Sequence, residues 1–463
     1  MKPYNEFLSE KFVSNKPSGF MVDMDTLNPN LKDWQALLVR WALYKGKSAL
    51  FEGTGLGKTI QQLAWADAIY KHTGKNVIGY APLAVSHQTV REGSKFGIVV
   101  NRCDTQADVR PGINITNYER IDKFDHDSFA GVFLDESGRI KNDTASFRNA
   151  VINYYGRTPY RLCCSATPSP NDYTELGNTA EFLGVSTMAE MKAMYFINDS
   201  GKTTAPWRLK GHVKDNRFWE WLATWCVMIQ KPSDIGYDDT GYILPKLVYH
   251  EHIIKFTGEI DTLFVEHAEG LREVEESMKE TLDDRCNMIA DMVNGSDETW
   301  AVWCHRNPEG ELLSKLINES VEVSGQTPDD LKVKHILDFA DDKVKCLITK
   351  PKIGMFGLNL QNCCNVIVTG LSYSFEALYQ LVRRFYRYGQ TRQVNVHIVI
   401  GEREGHVLAT IKRKEKQMEI MFDSMARHMS NATISELKHT KRSQTVYDPK
   451  IEMELPTFLV EAA

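Results

Sequence analysis

The stretch Phe51-Glu52-Gly53-Thr54-Gly55-Leu56-Gly57-Lys58-Thr59 constrains this chain more than any other. It follows a short apolar run, Ser48 to Phe51, and opens a segment with apolar residues at helical spacing, Ile60, Leu63, Ala64 and Ile69. Strand, glycine loop and helix in that order make a phosphate cradle. Gly55 and Gly57 can take positive φ, so backbone N–H groups approach phosphate oxygens, and the helix N-terminus adds partial positive charge. Lys58 adds a full charge and Thr59 a hydroxyl suited to Mg2+, with Leu56 and Ile60 completing the expected binding set. Glu52 stands where the longer pattern has a glycine, so the match is to the shorter G-x-G-K-T form.

The 463 residues are enough for two or three domains, each with its own core. Hydrophobic residues make up 42% and charged residues 25%, which excludes a mainly disordered chain. A net charge of −6 excludes a globally basic surface, so any nucleic-acid contact has to come from local Lys/Arg patches. The nine cysteines are odd in number and have no C-x-x-C spacing, as expected of buried, reduced thiols in the cytoplasm, or in the host cytoplasm if the source is viral. No run approaches the ~18 apolar residues of a membrane span, so no membrane association is expected.

Ahead of the loop, Leu31, Trp34, Leu38, Trp41 and Ala42 share one helical face. Gln35 on this segment carries an amide that can donate to and accept from an adenine edge. Beyond the loop come four more apolar runs: Val77 to Tyr80, Ile113 to Thr116, Gly131 to Leu134 and Arg161 to Cys164. Each ends in polar residues, the pattern of a buried parallel sheet with one crevice. Asp135-Glu136, at the end of the third of these, pairs a carboxylate for Mg2+ with one that can take a proton from water.

Residues 185–245 break the alternation, and Met188, Met191, Met194 and Tyr195, then Phe218, Trp219, Leu222 and Trp225, read as an α-helical insertion. After Pro245 a strand is expected over residues 246–256, followed by a charged helical stretch to Val293. His250 and His252 are same-face strand residues without further ligands at metal spacing. A second alternation follows in Trp300 to Trp303, Val321 to Val323, Val344 to Ile348, Val366 to Val368 and Val394 to Ile400. A helix is expected from about Ser374 to Tyr388, closed by Gly389, with Gln380, Arg384 and Arg387 on one face. Two guanidiniums there suit an anion presented by a facing domain. A long helix from Glu404 to His428 carries Lys412, Arg413, Lys414 and Lys416, and the tail a small cluster of Lys438, Lys441 and Arg442.

In this order the motifs resemble the ATPase engine of superfamily 2 helicases, and within it the Swi/Snf-type DNA translocases. Leu31 to Gln35 is similar to the adenine-reading glutamine motif, Gly55 to Thr59 to motif I, Pro82 to Glu92 to motif Ia, and Thr116 to Glu119 to motif Ib. Asp135 to Asn142 resembles D-E-x-H-R-x-K-N, and Ser165-Ala166-Thr167-Pro168 with Asn171, Glu175 and Leu176 resembles motif III. Gly357-Leu358-Asn359-Leu360 is similar to motif V, and Gln380 to Gln390 matches Q-x-x-x-R-x-x-R-x-G-Q. Gly138 replaces the usual histidine, Met355 a glycine, and Lys350-Pro351 stand where Ser-Thr is expected.

The resemblance implies an α/β fold of two tandem RecA-like domains with parallel sheets and α-helical insertions. Domain one would span 1–184, an insertion and linker 185–245, domain two 246–429 with a helical insertion near 257–295, and a tail 430–463. It implies ATP and Mg2+ as cofactors, Thr59 and Asp135 on the metal, Lys58, Asp135, Glu136, Arg384 and Arg387 in catalysis, and Ser165, Thr167, Gly357, Asn359 and Gln380 in coupling. The implied activity is a DNA-stimulated ATPase and translocase acting on duplex DNA as a monomer, with Lys95, Lys141 and the Lys412 to Lys416 group as backbone contacts. A strand-separating DNA or RNA helicase and a nucleotide-regulated scaffold are the alternatives. A nuclease, a methylase or a replication or recombination protein could serve as partner.

Overall fold

The computed structural model describes residues 16–141, 145–169, 171–198, 207–210, 217–255, 271–351, 360–371 and 374–437. The first lobe begins with helix α1 (Asp33–Lys45) and strand β1 (Lys47–Glu52), which runs through the glycine loop into α2 (Lys58–Thr73). Then come β2 (Val77–Ala81), α3 (Leu83–Lys95), β3 (Val100–Arg102), β4 (Ile113–Asn117), β5 (Gly131–Asp135) and β6 (Tyr160–Ser165). Every residue of β2, β4 and β5 is buried, which explains why β2 and β5 up to Leu134 read as unbroken apolar runs, while β4 alternates Ile113 and Ile115 with buried Asn114 and Thr116.

The segment after this lobe differs from the helical insertion expected. It does contain helices α4 (Met188–Tyr195) and α5 (Arg217–Ala223). Between them β7 (Phe196–Asn198) and β8 (Trp207–Leu209) form a small antiparallel ribbon. After α5 comes a strand, β9 (Cys226–Ile229), that joins the first sheet beside β1. The aromatic pattern of Phe218, Trp219 and Leu222 stops because the Thr224 hydroxyl bonds Trp221 O at 2.7 Å, turning the chain. The four apolar residues that follow are then free to pair with Ala49 to Glu52. The completed sheet is all parallel in the order β3-β4-β2-β5-β6-β1-β9.

The second lobe holds β10 (Leu247–Ile254), α6 (Leu282–Asn294), β11 (Trp300–Cys304), β12 (Ser320–Val323), β13 (Cys346–Thr349) and β14 (Asn365–Thr369). It continues with α7 (Phe375–Val382), β15 (Val394–Gly401) and the long α8 (Gly405–Leu437). Its sheet is also all parallel, in the order β10-β15-β14-β11-β13-β12. The chain therefore has two RecA-like domains, as the motif order implied.

Helix α8 leaves the second lobe and packs on the first. Met418, Met421, Phe422 and Met425 are buried in one continuous core with α5 and β9. Tyr173 Oη donates to Gln417 O at 3.0 Å, and Lys414 Nζ to Asn171 Oδ1 at 2.8 Å. Burying side chains of this size contributes about 1.5–3 kcal/mol each, so α8 is a strap between the lobes rather than a free basic face. Lys412 is paired with Glu251, which further reduces the basic surface expected here. Among the described residues no helix is long and apolar enough to cross a membrane.

Candidate active site

Three connections at the C-terminal ends of adjacent strands build the first half of the site. The glycine loop leaves β1, Asp135-Glu136 leaves β5, and Ser165 to Thr167 leave β6. Phe51 pairs with Ser165 and Cys164 with Asp135, so the three meet at one level.

Gly55 and Gly57 adopt φ of +86° and +81°, the left-handed region that favours glycine. At Gly57 the demand is double, since a Cβ there would lie 2.5 Å from Gln35 Nε2. Lys58 Nζ folds back to Glu52 O at 3.0 Å and Gly53 O at 3.2 Å, so it already lies over the cradle. Leu56 and Ile60 are buried beneath, and Thr59 is half-buried in the first turn of α2.

Gln35 reaches the loop but addresses the protein rather than open space. Its Oε1 accepts from Lys32 N at 2.9 Å and its Nε2 donates to Leu56 O at 2.8 Å. One partner can only donate and the other only accept, which fixes the amide's orientation. At 5% exposure Gln35 serves as a clamp on the loop.

The carboxylates are held by residues that sequence reasoning missed. Gln62 Nε2 donates to Asp135 Oδ1 at 2.8 Å, and the Tyr118 hydroxyl to Asp135 O at 2.7 Å. Burial pushes the Asp135 carboxyl above its usual range. Glu136 follows in the left-handed region at φ +52°, a cost of about 1 kcal/mol for a non-glycine residue that aims its side chain at the cleft. Burial, and next the Asp135 charge, raise Glu136 to about 7. A second buried carboxylate, Glu52, is also raised to about 7 by burial, with Gln61 Nε2 on its Oε2 at 2.8 Å. The tandem Gln61-Gln62, fully buried directly after the loop, was the available sequence signal for both amides.

The second half of the site comes from α7 and the turn after it. Gln380 Nε2 donates to Glu136 Oε2 at 3.3 Å, and Ser165 Oγ donates to the same oxygen at 3.4 Å. Ser165 Oγ also accepts from Thr167 N at 3.0 Å, and Thr167 Oγ1 donates to Glu376 Oε1 at 3.5 Å. Glu376 and Gln380 are one turn apart on α7, so a closed ring of side chains crosses the cleft. It also bypasses Gly138, tying the carboxylate directly to Ser165.

Arg384 and Arg387 do not lie on the expected helix, because α7 ends at Val382. The physical reason is Gln390, whose Nε2 donates to Phe385 O, Gln361 O and Cys363 O at 3.0–3.3 Å and draws the 383–390 segment into a tight turn. Leu360 N donating to Arg384 O at 3.1 Å holds the same turn. The turn still delivers both guanidiniums to the cleft. Desolvation and the Arg387 charge lower Arg384 to about 10, against the opposing pull of Glu136, and it stays cationic at neutral pH. Arg387 is lowered by burial and is drawn the other way by Glu92 on α3. A Cβ on Gly55 would sit 3.1 Å from Tyr388 N and 3.8 Å from Arg387 Cβ, so this turn rests on the glycine loop. Gly357 and Asn359 lie outside the described residues, as do Asn142, Lys438, Lys441 and Arg442.

Residues 34–199 match the SNF2-related domain family. The matched stretch covers most of the first lobe, which is similar to SNF2-related domains. The match spans the glycine loop, Asp135-Glu136 and Ser165 to Thr167, and it bears out the motif-based recognition of a Swi/Snf-type ATPase of superfamily 2. Among solved structures, the SWI2/SNF2 ATPase core of Sulfolobus solfataricus in complex with dsDNA is 18% identical, with 90% of this chain and 99% of that one covered and a TM-score of 0.41. The ATP-dependent Type ISP restriction-modification enzyme LlaBIII bound to DNA is 13% identical, with a TM-score of 0.53 over 83% of this chain. The chain spans 30% of the LlaBIII chain's length, and the likeness shows the shared fold. No curated protein matches.

Proposed function

We propose that the chain is an ATP-hydrolysing, DNA-dependent motor in which both lobes act on one triphosphate. The observation that carries this reading is the Gln380–Glu136 contact at 3.3 Å, since it joins a carboxylate of one lobe to an amide of the other at the mouth of the glycine loop. The phosphates would lie on the N–H groups of the loop, with Lys58 turning from the Glu52 and Gly53 carbonyls to meet them. Glu136 takes the proton of the attacking water, a task suited to a carboxylate titrating near 7. Arg384 and Arg387 stabilise charge on the transferring phosphoryl group, a role worth roughly 10³–10⁵ in rate where an arginine finger has been removed.

Mg2+ fits this donor set. Asp135 is a buried carboxylate whose carboxyl burial pushes up, and a threonine hydroxyl at Thr59 lies in the first turn of the neighbouring helix; both are hard oxygen ligands. When bound, the ion would draw charge off the phosphate oxygens.

LlaBIII, which shares the fold, is bound to DNA in its solved structure; that supports a nucleic-acid partner, and a motor on duplex DNA is the reading we favour. Both halves of the site come from one chain, so it would act as a monomer. Turnover measured with no nucleic acid, duplex DNA, single-stranded DNA and RNA tests this. Strongest stimulation by duplex without strand separation is expected; equal turnover in all four would contradict it.

A further inference from the structure

Helix α7 stops at Val382, and the turn that follows carries Arg384 and Arg387. Its main chain is held by short-range bonds, Arg384 N to Leu381 O and both Phe385 N and Tyr386 N to Val382 O, at 2.9–3.1 Å. Those bonds fix the path of the turn, and packing has to fix which way its side chains face. Phe385 turns inward, fully buried and edge-on to Trp303 at 6.3 Å. Arg383 is half-buried between two rings. Its guanidinium carbon is 4.8 Å from the ring centroid of Tyr379 and 5.1 Å from that of Tyr386, both within the ~6 Å at which an aromatic face attracts a cation. Tyr379 lies one helical turn earlier on α7 and Tyr386 three residues later, so the arginine bridges the end of the helix to the segment beyond it.

The strap α8 faces the same arginine. Lys412, Glu415 and Glu419, spaced i, i+3 and i+7, share one face of it, and Lys412 is paired with Glu251 on β10. Burial, and next the Glu419 charge, raise the Glu415 carboxyl, while Arg383 and Lys412 oppose them. Residues of α8 beside Glu415 hold the first lobe: Lys414 donates to Asn171, and Gln417 O accepts from Tyr173. Asn171 and Tyr173 follow directly on the Ser165 to Thr167 loop. Resting on the two-lobe ATPase reading above, we propose that Arg383 is a positioning residue: closed between Tyr379 and Tyr386 and faced by Glu415, it holds the turn in the shape that delivers Arg384 and Arg387 to the cleft. Because α8 grips both lobes at this point, the two arginines are set against the lobe that carries the glycine loop. A planar guanidinium suits the task, since it stacks on a ring in a way that a compact ammonium cannot.

Single-turnover hydrolysis, ATP affinity by calorimetry and urea unfolding of the full chain test the assignment. Arg383→Met, which keeps the stem and loses the planar cation, should slow hydrolysis about tenfold and leave affinity within about twofold and the unfolding midpoint unchanged. Arg383→Lys, which keeps the charge, should be intermediate in rate. Since Arg383 acts through its neighbours, adding Arg383→Met to the double variant Arg384→Ala, Arg387→Ala should cost nothing further. A parental rate in Arg383→Met, a loss of affinity in place of rate, a lysine variant no faster than the methionine one, or a further tenfold loss in the triple variant would overturn the assignment. Parental hydrolysis in Arg384→Ala, Arg387→Ala would instead bring down the two-lobe reading itself, a failure distinguishable from that of Arg383 alone.

Discussion

Gln380, on the second lobe, donates from Nε2 to Oε2 of Glu136 on the first, and Glu376 one turn earlier accepts from Thr167. The ring these four residues form with Ser165 fixes the carboxylate by contacts from both lobes. Removing the amide should therefore change chemistry more than binding. Gln380→Ala is expected to keep ATP affinity within about twofold and to lower kcat by roughly 10- to 100-fold. Gln380→Glu should be worse, because it sets a third carboxylate beside Glu136 and Glu376. Steady-state kinetics of both variants decide it, and a Gln380→Glu enzyme as fast as the parent would discount the ring.

Glu52 is wholly buried, and one of its oxygens has no hydrogen-bond partner. Burial raises its carboxyl to about 7, so between its ordinary 4.5 and 7 the folded protein holds a proton the unfolded chain has lost. Stability from this group falls as pH rises through that window. Glu52→Gln should match the parent near pH 4.5 and exceed it by about 2–3 kcal/mol at pH 8. Denaturant unfolding at the two pH values measures the difference.

Arg285 and Glu309 form an ion pair at 2.9 Å with both side chains fully buried in the second lobe. Arg285 also donates to Thr369 Oγ1 at 3.0 Å, and Glu309 Oε2 accepts from the backbone N–H groups of His305 and Arg306, each at 2.9 Å. Arg285→Leu leaves a carboxylate buried without its cation and should cost about 3–5 kcal/mol. The double variant Arg285→Leu, Glu309→Leu should recover part of that loss, although the His305 and Arg306 N–H groups then lose their acceptor. Urea unfolding of the single and double variants gives both numbers.

His397 stacks on His250 at 4.6 Å, and its Nδ1 lies 3.0 Å from His252 Nε2. Burial, and next the charges of His250 and His252, lower it to about 4 from its ordinary 6.5. In the window between, the unfolded chain binds the proton and the folded one does not, so stability falls as pH drops from about 6.5 to 4. Allowing for the partial exposure of the ring, the loss should be about 1–2 kcal/mol and should largely vanish in His397→Gln, as seen in melting temperatures at pH 7.5 and 5.

How far the fold could be read depended on how local its causes are. Strands β1, β2, β4, β5 and β6 are buried along nearly their whole length and carry apolar residues through their middles, which leaves a plain trace in sequence. Strand β3 is only Val100–Arg102, with one buried residue, and β9 continues an aromatic helix after a single threonine turn. Neither has a period of its own. The end of α7 at Val382 was hidden for a similar reason: Arg383, Arg384 and Phe385 continue a helical pattern, and what stops it is the Gln390 amide reaching back to Phe385 O. At the site, motif order indicated which loops converge. It could not show that Gln62 and Tyr118 hold Asp135, since those bonds link residues 73 and 17 positions apart.

The central claim is that one triphosphate is worked on by both lobes. Its most direct test is single-turnover ATP hydrolysis, with affinity measured alongside, in Arg384→Ala and Arg387→Ala. Both variants are expected to bind ATP nearly as the parent does and to hydrolyse it about 10³-fold more slowly or worse. Parental rates in both would contradict it.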